Sequence, residues 1–227
     1  MGIKENLEQL KITFKKQDCL LVAVSKTKPP GAIKEAYEAG IRDFGENKVQ
    51  ELVEKAPQLP KDIRWHMIGH LQRNKVKHIV PFVYLIHGVD SLRLLKQINK
   101  EGEKVKRVIP CLLQIHIAKE ESKFGLDEKE LEDIIWGKEM QHMEFIKIKG
   151  LMGMATNTDN PETVRKEFGY LKSLFEEIKT KALPKQVEME ELSMGMSGDY
   201  PLALEAGSTI VRIGSAIFGA RNYNQTS

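Results

Sequence analysis

At 227 residues, with 41% hydrophobic and 30% charged residues, the chain has the composition of an ordinary globular protein and the length to bury a large core, which excludes fibrous, disordered and membrane-spanning readings. Its formal charge of +3 is spread over mixed acidic and basic residues, and the densest basic cluster, Lys104, Lys106 and Arg107, reads as a solvated turn, so no nucleic acid or membrane partner is expected. Cys19 and Cys111 lie in apolar runs without CxxC spacing and the N-terminus carries no apolar stretch of signal length, which predicts two buried free thiols in a cytosolic protein.

In chain order, residues 2 to 16 are expected to form an added helix. Leu20 to Val24 is a continuous apolar run that reads as a buried strand, followed by a helix that Pro30 can open and Gly40 can close. The unit then repeats: a strand at Ile41 to Gly45 with a helix near Lys48 to Lys55, a strand at Arg64 to Ile68 with Arg73 to His78, and a strand at Val83 to His87 with Leu92 to Lys100. A fifth strand, Val108 to Ile117, precedes a helix at Glu128 to Trp136. A sixth, Phe145 to Leu151, precedes the best amphipathic helix, where Val164, Phe168, Leu171, Phe175 and Ile178 share one stripe behind Pro161. Glu188 to Leu192 and Thr209 to Ile213 complete the series, with a helix at Tyr200 to Ala206 between them.

Strands and helices alternating at intervals of roughly 25 residues predict an α/β fold, a (β/α)8 TIM barrel with an added N-terminal helix, the whole of residues 1–227 forming one domain. A doubly wound open sheet is the rival, and it is disfavoured because no GxGxxG follows the first strand.

In such a barrel, ligand groups are expected at the C-terminal strand ends, with a phosphate against the loops after strands seven and eight. Those loops read Ser193-Met194-Gly195-Met196-Ser197-Gly198-Asp199 and Gly214-Ser215-Ala216. Glycine lets backbone N–H groups approach an anion and serine adds hydroxyl donors; either loop alone also reads as a plain turn, and their joint placement is what implies a phosphate-bearing ligand. Lys26 ends the first strand at the same mouth. Alone it reads as a surface lysine beside Lys28; beside a phosphate ligand its amine can condense with an aldehyde cofactor. Arg212, a permanent cation inside an apolar strand, needs a partner, which is either a carboxylate such as Glu205 or the ligand itself. His66 and His70 are separated by Gly69, a strand end rather than a helix, so no metal site is expected.

Several segments together resemble one family. Leu21-Val22-Ala23-Val24-Ser25-Lys26-Thr27-Lys28-Pro29, Phe44-Gly45-Glu46-Asn47 with Gln50-Glu51, and Trp65-His66-Met67-Ile68-Gly69-His70-Leu71-Gln72-Arg73-Asn74-Lys75 resemble the pyridoxal phosphate homeostasis proteins. So do Glu121-Ser122-Lys123-Phe124-Gly125, Gly150-Leu151-Met152, the loop from Ser193 to Ser197, and Val211-Arg212-Ile213-Gly214-Ser215 with Phe218-Gly219. That family resembles the N-terminal barrel of alanine racemase. The resemblance implies pyridoxal 5'-phosphate as cofactor, Lys26 as its Schiff-base lysine, Arg212 facing the pyridine nitrogen, Ser197, Gly214 and Ser215 on the phosphate, and Asn47, His66 and Met194 along the ring. A guanidinium at that nitrogen leaves the cofactor a weak electron sink. Glu121 to Gly125 reads as an ordinary loop, and Gly153-Met154-Ala155-Thr156-Asn157 departs from the more apolar, proline-bearing run that the family leads us to expect.

Racemisation needs a second base, which in alanine racemase comes, as the resemblance implies, from an added domain of the partner subunit, and the chain is expected to have no room for such a domain. Tyr200 and Tyr223 could supply a phenol but read more simply as packing or turn residues. The expected function is therefore a non-catalytic, monomeric carrier or regulator that holds pyridoxal phosphate for apo-enzymes in the cytoplasm. An amino-acid racemase, and a barrel that binds a sugar or nucleotide phosphate without Schiff-base chemistry, are the alternatives.

Overall fold

The computed structural model describes residues 2–14, 18–120 and 124–219. Within them, parallel strands β1 (Leu20–Val24), β2 (Asp43–Glu46), β3 (Arg64–Met67), β4 (Leu85–Val89), β5 (Ile109–Ile115), β6 (Ile146–Gly153), β7 (Val187–Ser193) and β8 (Ile210–Ile213) pair in sequence order and close through β1 against β8. This is the (β/α)8 barrel, and the open-sheet alternative is set aside by the closing pairs Leu20 with Ile210 and Val22 with Arg212.

Helices α1 (Ile3–Phe14), α2 (Pro30–Glu38), α3 (Val49–Lys55), α4 (Leu92–Lys104), α5 (Glu128–Ile135), α6 (Pro161–Thr180), α7 (Tyr200–Glu205) and α8 (Ser215–Phe218) cover the barrel or its ends, and a 3-10 turn, Arg73–His78, stands between β3 and β4. Their starts follow local chemistry. Ser91 accepts the Leu94 N–H, Asp127 and Glu130 form a reciprocal capping box, and Asn160 accepts from Glu162 and Thr163 while Pro161 occupies the first turn. The stripe expected on α6 is buried, from Val164 to Ile178. Of the expected opening helix, Lys15 and Lys16 lie outside the described residues, as do Glu121, Ser122, Lys123 and Tyr223.

Alternation along the strands separates two apolar populations. Phe44, Trp65, Met67, Ile86, Leu113, Leu151, Leu192 and Val211 belong to the large core between sheet and helices. Val22, Leu85, Leu112, Met152 and Ile210, one from each of five strands, pack together inside the barrel. Strand β6 bulges at Gly150, where φ is +151° and a Cβ would sit 1.8 Å from the Glu191 carbonyl oxygen, so only glycine keeps the β6–β7 register. Beyond the bulge β6 runs on to Gly153, two residues past the expected end. Cys111 is fully buried, but Cys19 is only half-buried, against the expectation for both thiols.

Candidate functional site

The strand ends and following loops of β1, β2, β3, β6, β7 and β8 enclose a cavity of about 340 Å³ at the C-terminal face, within the ~300–1,000 Å³ span of small-molecule sites. Lys26, Asn47, Ser197, Arg212, Gly214 and Ser215 line it, so six positions singled out in the sequence converge on one space. Thr27, Lys28, Ile68, Met154 and Met196 share its wall.

Lys26 follows the fully buried Ser25 on a turn held from below. The Ser25 hydroxyl donates to Glu46 at 2.7 Å, and Lys55 Nζ on α3 donates to the Ser25 carbonyl at 3.0 Å, to Glu46 at 2.9 Å and to Glu51 at 2.7 Å. Glu51 also accepts the N–H of Thr27, whose φ of 63° is rare for a β-branched residue and is therefore over-determined by these contacts. Burial raises the Glu46 carboxyl above its usual range despite Lys55; for Glu51 burial pushes the same way, but the bonds from Lys55 and Thr27 prevail and hold it low. On the far side of the turn Lys28 Nζ donates to the Phe218 carbonyl at 3.0 Å, tying the lysine-bearing loop to α8.

Across the cavity, Arg212 is 3% exposed. It donates to the Ser193 hydroxyl at 2.6 Å and to the Gly153 carbonyl at 3.0 Å, two of the five donors a guanidinium carries. Burial pulls its pKa down to about 10, partly countered by Asp199, so it remains a cation at neutral pH. Between these poles, the N–H groups of Gly214 and Ala216 donate to the Ser197 hydroxyl oxygen at 3.1 and 3.5 Å, so two backbone donors converge on one point of the wall, as an anion requires. Gly214 packs closely on Val24: a Cβ there would come within 3.3 Å of the Val24 carbonyl oxygen. An amine, a buried cation and a donor cluster around one cavity fit an aldehyde-bearing phosphate ester.

The profile of the alanine racemase N-terminal domain family matches residues 2–222. The pyridoxal phosphate homeostasis protein of Pasteurella multocida is 40% identical over 208 residues, covering 90% of this chain and 88% of the relative. The chain belongs to the pyridoxal phosphate homeostasis protein family. The human homeostasis protein is 41% identical over 217 residues, covering 90% of this chain and 78% of its own. PipY of Synechococcus elongatus, solved with PLP bound, superposes with a TM-score of 0.84 at 34% identity, over 96% of this chain and 100% of that one.

Within this homeostasis-family barrel, two expected ring neighbours stand elsewhere. His66 faces the barrel interior one layer beneath the mouth, is fully buried, and does not line the cavity; it bonds His87 and Asp43 instead. Met194 follows the inward Ser193 and so points outward into the core between sheet and helices, leaving Met196, two residues on, at the cavity. Glu205 is no partner of Arg212: it is exposed on α7 and pairs with Arg165 at 3.2 Å. Tyr200 stacks on Phe14 of α1, with ring centroids 6.0 Å apart. Gly214-Ser215-Ala216, read as a loop, instead opens the short helix α8. The clamp of Ser25, Glu46, Glu51 and Lys55 and the interior groups Asp43, His87 and Ser193 were missed as functional. Glu46 and Glu51 stand in the family motifs, and the four-residue spacing of Glu51 and Lys55 was the available signal.

Proposed function

We propose that this protein holds pyridoxal 5'-phosphate in the cavity at the C-terminal face and acts in pyridoxal phosphate homeostasis, as a monomeric cytoplasmic carrier or regulator built on one barrel domain, without a dedicated catalytic activity. The convergence of Lys26, Arg212 and the Ser197–Gly214–Ser215 donors on one space carries the reading. When bound, the cofactor supplies an aldehyde carbon that an unprotonated amine can capture as an imine. Lys26 offers that amine from a turn the Glu46–Lys55–Glu51 cluster keeps from relaxing. Ser197, Gly214 and Ser215 would hold the phosphate, Asn47 would flank the ring, and Arg212 would donate to the ring nitrogen while keeping its own proton. With a cation at that position, residues here give little help to α-carbanion chemistry, and Tyr200 is engaged with Phe14 rather than poised as a second base. A reservoir that releases its cargo to apo-enzymes of the pyridoxal phosphate class is the role this site suits.

Borohydride reduction of protein loaded with pyridoxal phosphate, followed by peptide mass spectrometry, is expected to find the pyridoxyl mass on Lys26 and to lose it in Lys26→Ala. An adduct on another lysine, or none, would overturn the assignment. Incubation with L- and D-amino acids in deuterated water is expected to leave the α-protons in place; steady exchange at enzymatic rates would favour the racemase.

A further inference from the structure

Among the described residues no carboxylate stands at hydrogen-bond distance from the Arg212 guanidinium, yet a file of buried polar groups leads from it through the barrel to one. Arg212 Nη1 donates to Ser193 Oγ at 2.6 Å; Ser193 Oγ lies 2.9 Å from His87 Nδ1; His87 Nε2 lies 2.9 Å from His66 Nδ1; and His66 Nε2 lies 3.0 Å from Asp43 Oδ1. Asp43 also accepts Arg64 Nε at 2.7 Å. Ser193, His87 and His66 have no exposed surface, and Asp43 retains 4%. The links tie β8 to β7, β4, β3 and β2, so the file passes from the cavity wall to the N-terminal end of the barrel.

With both imidazoles neutral, the two ends decide every proton in it. A guanidinium can only donate and an ionised carboxylate can only accept. His66 must therefore carry its hydrogen on Nε2, which makes its Nδ1 an acceptor and places the His87 hydrogen on Nε2. His87 Nδ1 then accepts, the Ser193 hydroxyl must donate to it, and the Ser193 oxygen is left to receive Arg212. With each imidazole neutral, all the bonds point one way, from cation to anion, and a second proton would turn a ring nitrogen from acceptor into donor and break that order. Burial disfavours the charged form of both imidazoles and lowers the pKa of each, and His66 and Arg212 lower that of His87 further.

We infer that Ser193, His87, His66 and Asp43 are positioning residues that fix the Arg212 guanidinium and, through it, the surroundings of the ligand it meets. The inference rests on the reading that Arg212 faces bound pyridoxal phosphate. Buried polar arrays of this kind add less stability than well-packed apolar side chains would, so orientation is the better account of five strands converging on it.

Three measurements test it. Nitrogen-15 NMR of the unliganded full-length protein is expected to show two neutral histidines protonated at Nε2; an Nδ1–H tautomer or an imidazolium at neutral pH for His66 or His87 would overturn the file whatever the ligand. Ser193→Ala is expected to shift the absorption band of bound pyridoxal phosphate and to speed its release about tenfold, on the scale of one buried charge-assisted hydrogen bond, with Ser193→Thr restoring both. Asp43→Asn, far from the cavity and nearly isosteric, is expected to move the same band in the same direction through reversed tautomers. Unchanged bands and release rates in folded Ser193→Ala or Asp43→Asn protein would sink the inference. Absence of any Lys26 adduct in the parent protein would instead sink the functional reading and leave the tautomer measurement standing.

Discussion

Lys55 is the residue on which the lysine-bearing turn most depends. It is 7% exposed and pairs with two carboxylates, Glu46 fully buried and Glu51 partly exposed. Replacement by methionine keeps most of the volume but leaves Glu46 and Glu51 facing each other without a cation, which is expected to cost about 3–5 kcal/mol. Because burial raises the Glu46 carboxyl above its usual range, it takes up a proton more readily than a free glutamate as the solution is acidified, and the deficit should narrow as pH is lowered from 8 toward 5; denaturant midpoints of Lys55→Met and parent protein at each pH measure it. A constant deficit across that range would argue that packing, not charge, is what Lys55 supplies. At this scale Lys26, Arg212 and the serine and glycine donors were legible in the sequence because their chemistry marks them at strand ends. His66 and Met194 do not line the cavity: His66 faces inward but a layer below the mouth, and Met194 lies just past the end of β7 on the outward side, and neither depth nor facing at a strand end is written in the residue type. Still less legible was the bond from His87 to Ser193, whose partners are 106 residues apart in the chain.

Among the elements, α6 is the one the sequence describes most completely, with its proline start and its apolar stripe both where the sequence places them, and the structure adds the Asn160 cap. Phe168 lies in the middle of that stripe with no exposed surface. Phe168→Ala is expected to destabilise the protein by about 3–5 kcal/mol, with the loss read from thermal or denaturant unfolding; a loss below ~1 kcal/mol would mean that α6 is not docked as described. Shorter elements were harder to bound. The run beginning at Val83 becomes strand only at Leu85, because Val83 is still finishing the turn after the 3-10 segment, where its N–H donates to the Ile79 carbonyl. The bulge at Gly150 likewise left its mark only as a glycine in a strand, and that signal could not say whether β6 would end or bend there.

For the whole molecule, an interior built partly of neutral histidines makes stability depend on pH. Unfolded histidine takes up a proton below about pH 6.5, whereas His66 and His87 resist it in the folded state, so the unfolded chain binds more protons and stability falls as the pH drops. The expected slope is roughly 1 kcal/mol per pH unit for each histidine below that point, and Asp43, held below its usual range by His66 and Arg64 against its burial, adds the same trend in more acidic solution. Unfolding midpoints at constant ionic strength that stay level between pH 7.5 and 5 would contradict it. Arg64 gives this interior an outlet. Its side chain is 42% exposed at the opening opposite the cavity, and it is the last group on the polar file. A survey of variants ranked by nearness to the ligand would pass over it, yet if the file fixes Arg212 as inferred, a solvent-facing change there is expected to reach the cavity wall, and the floor of the barrel becomes a place from which ligand release could be tuned.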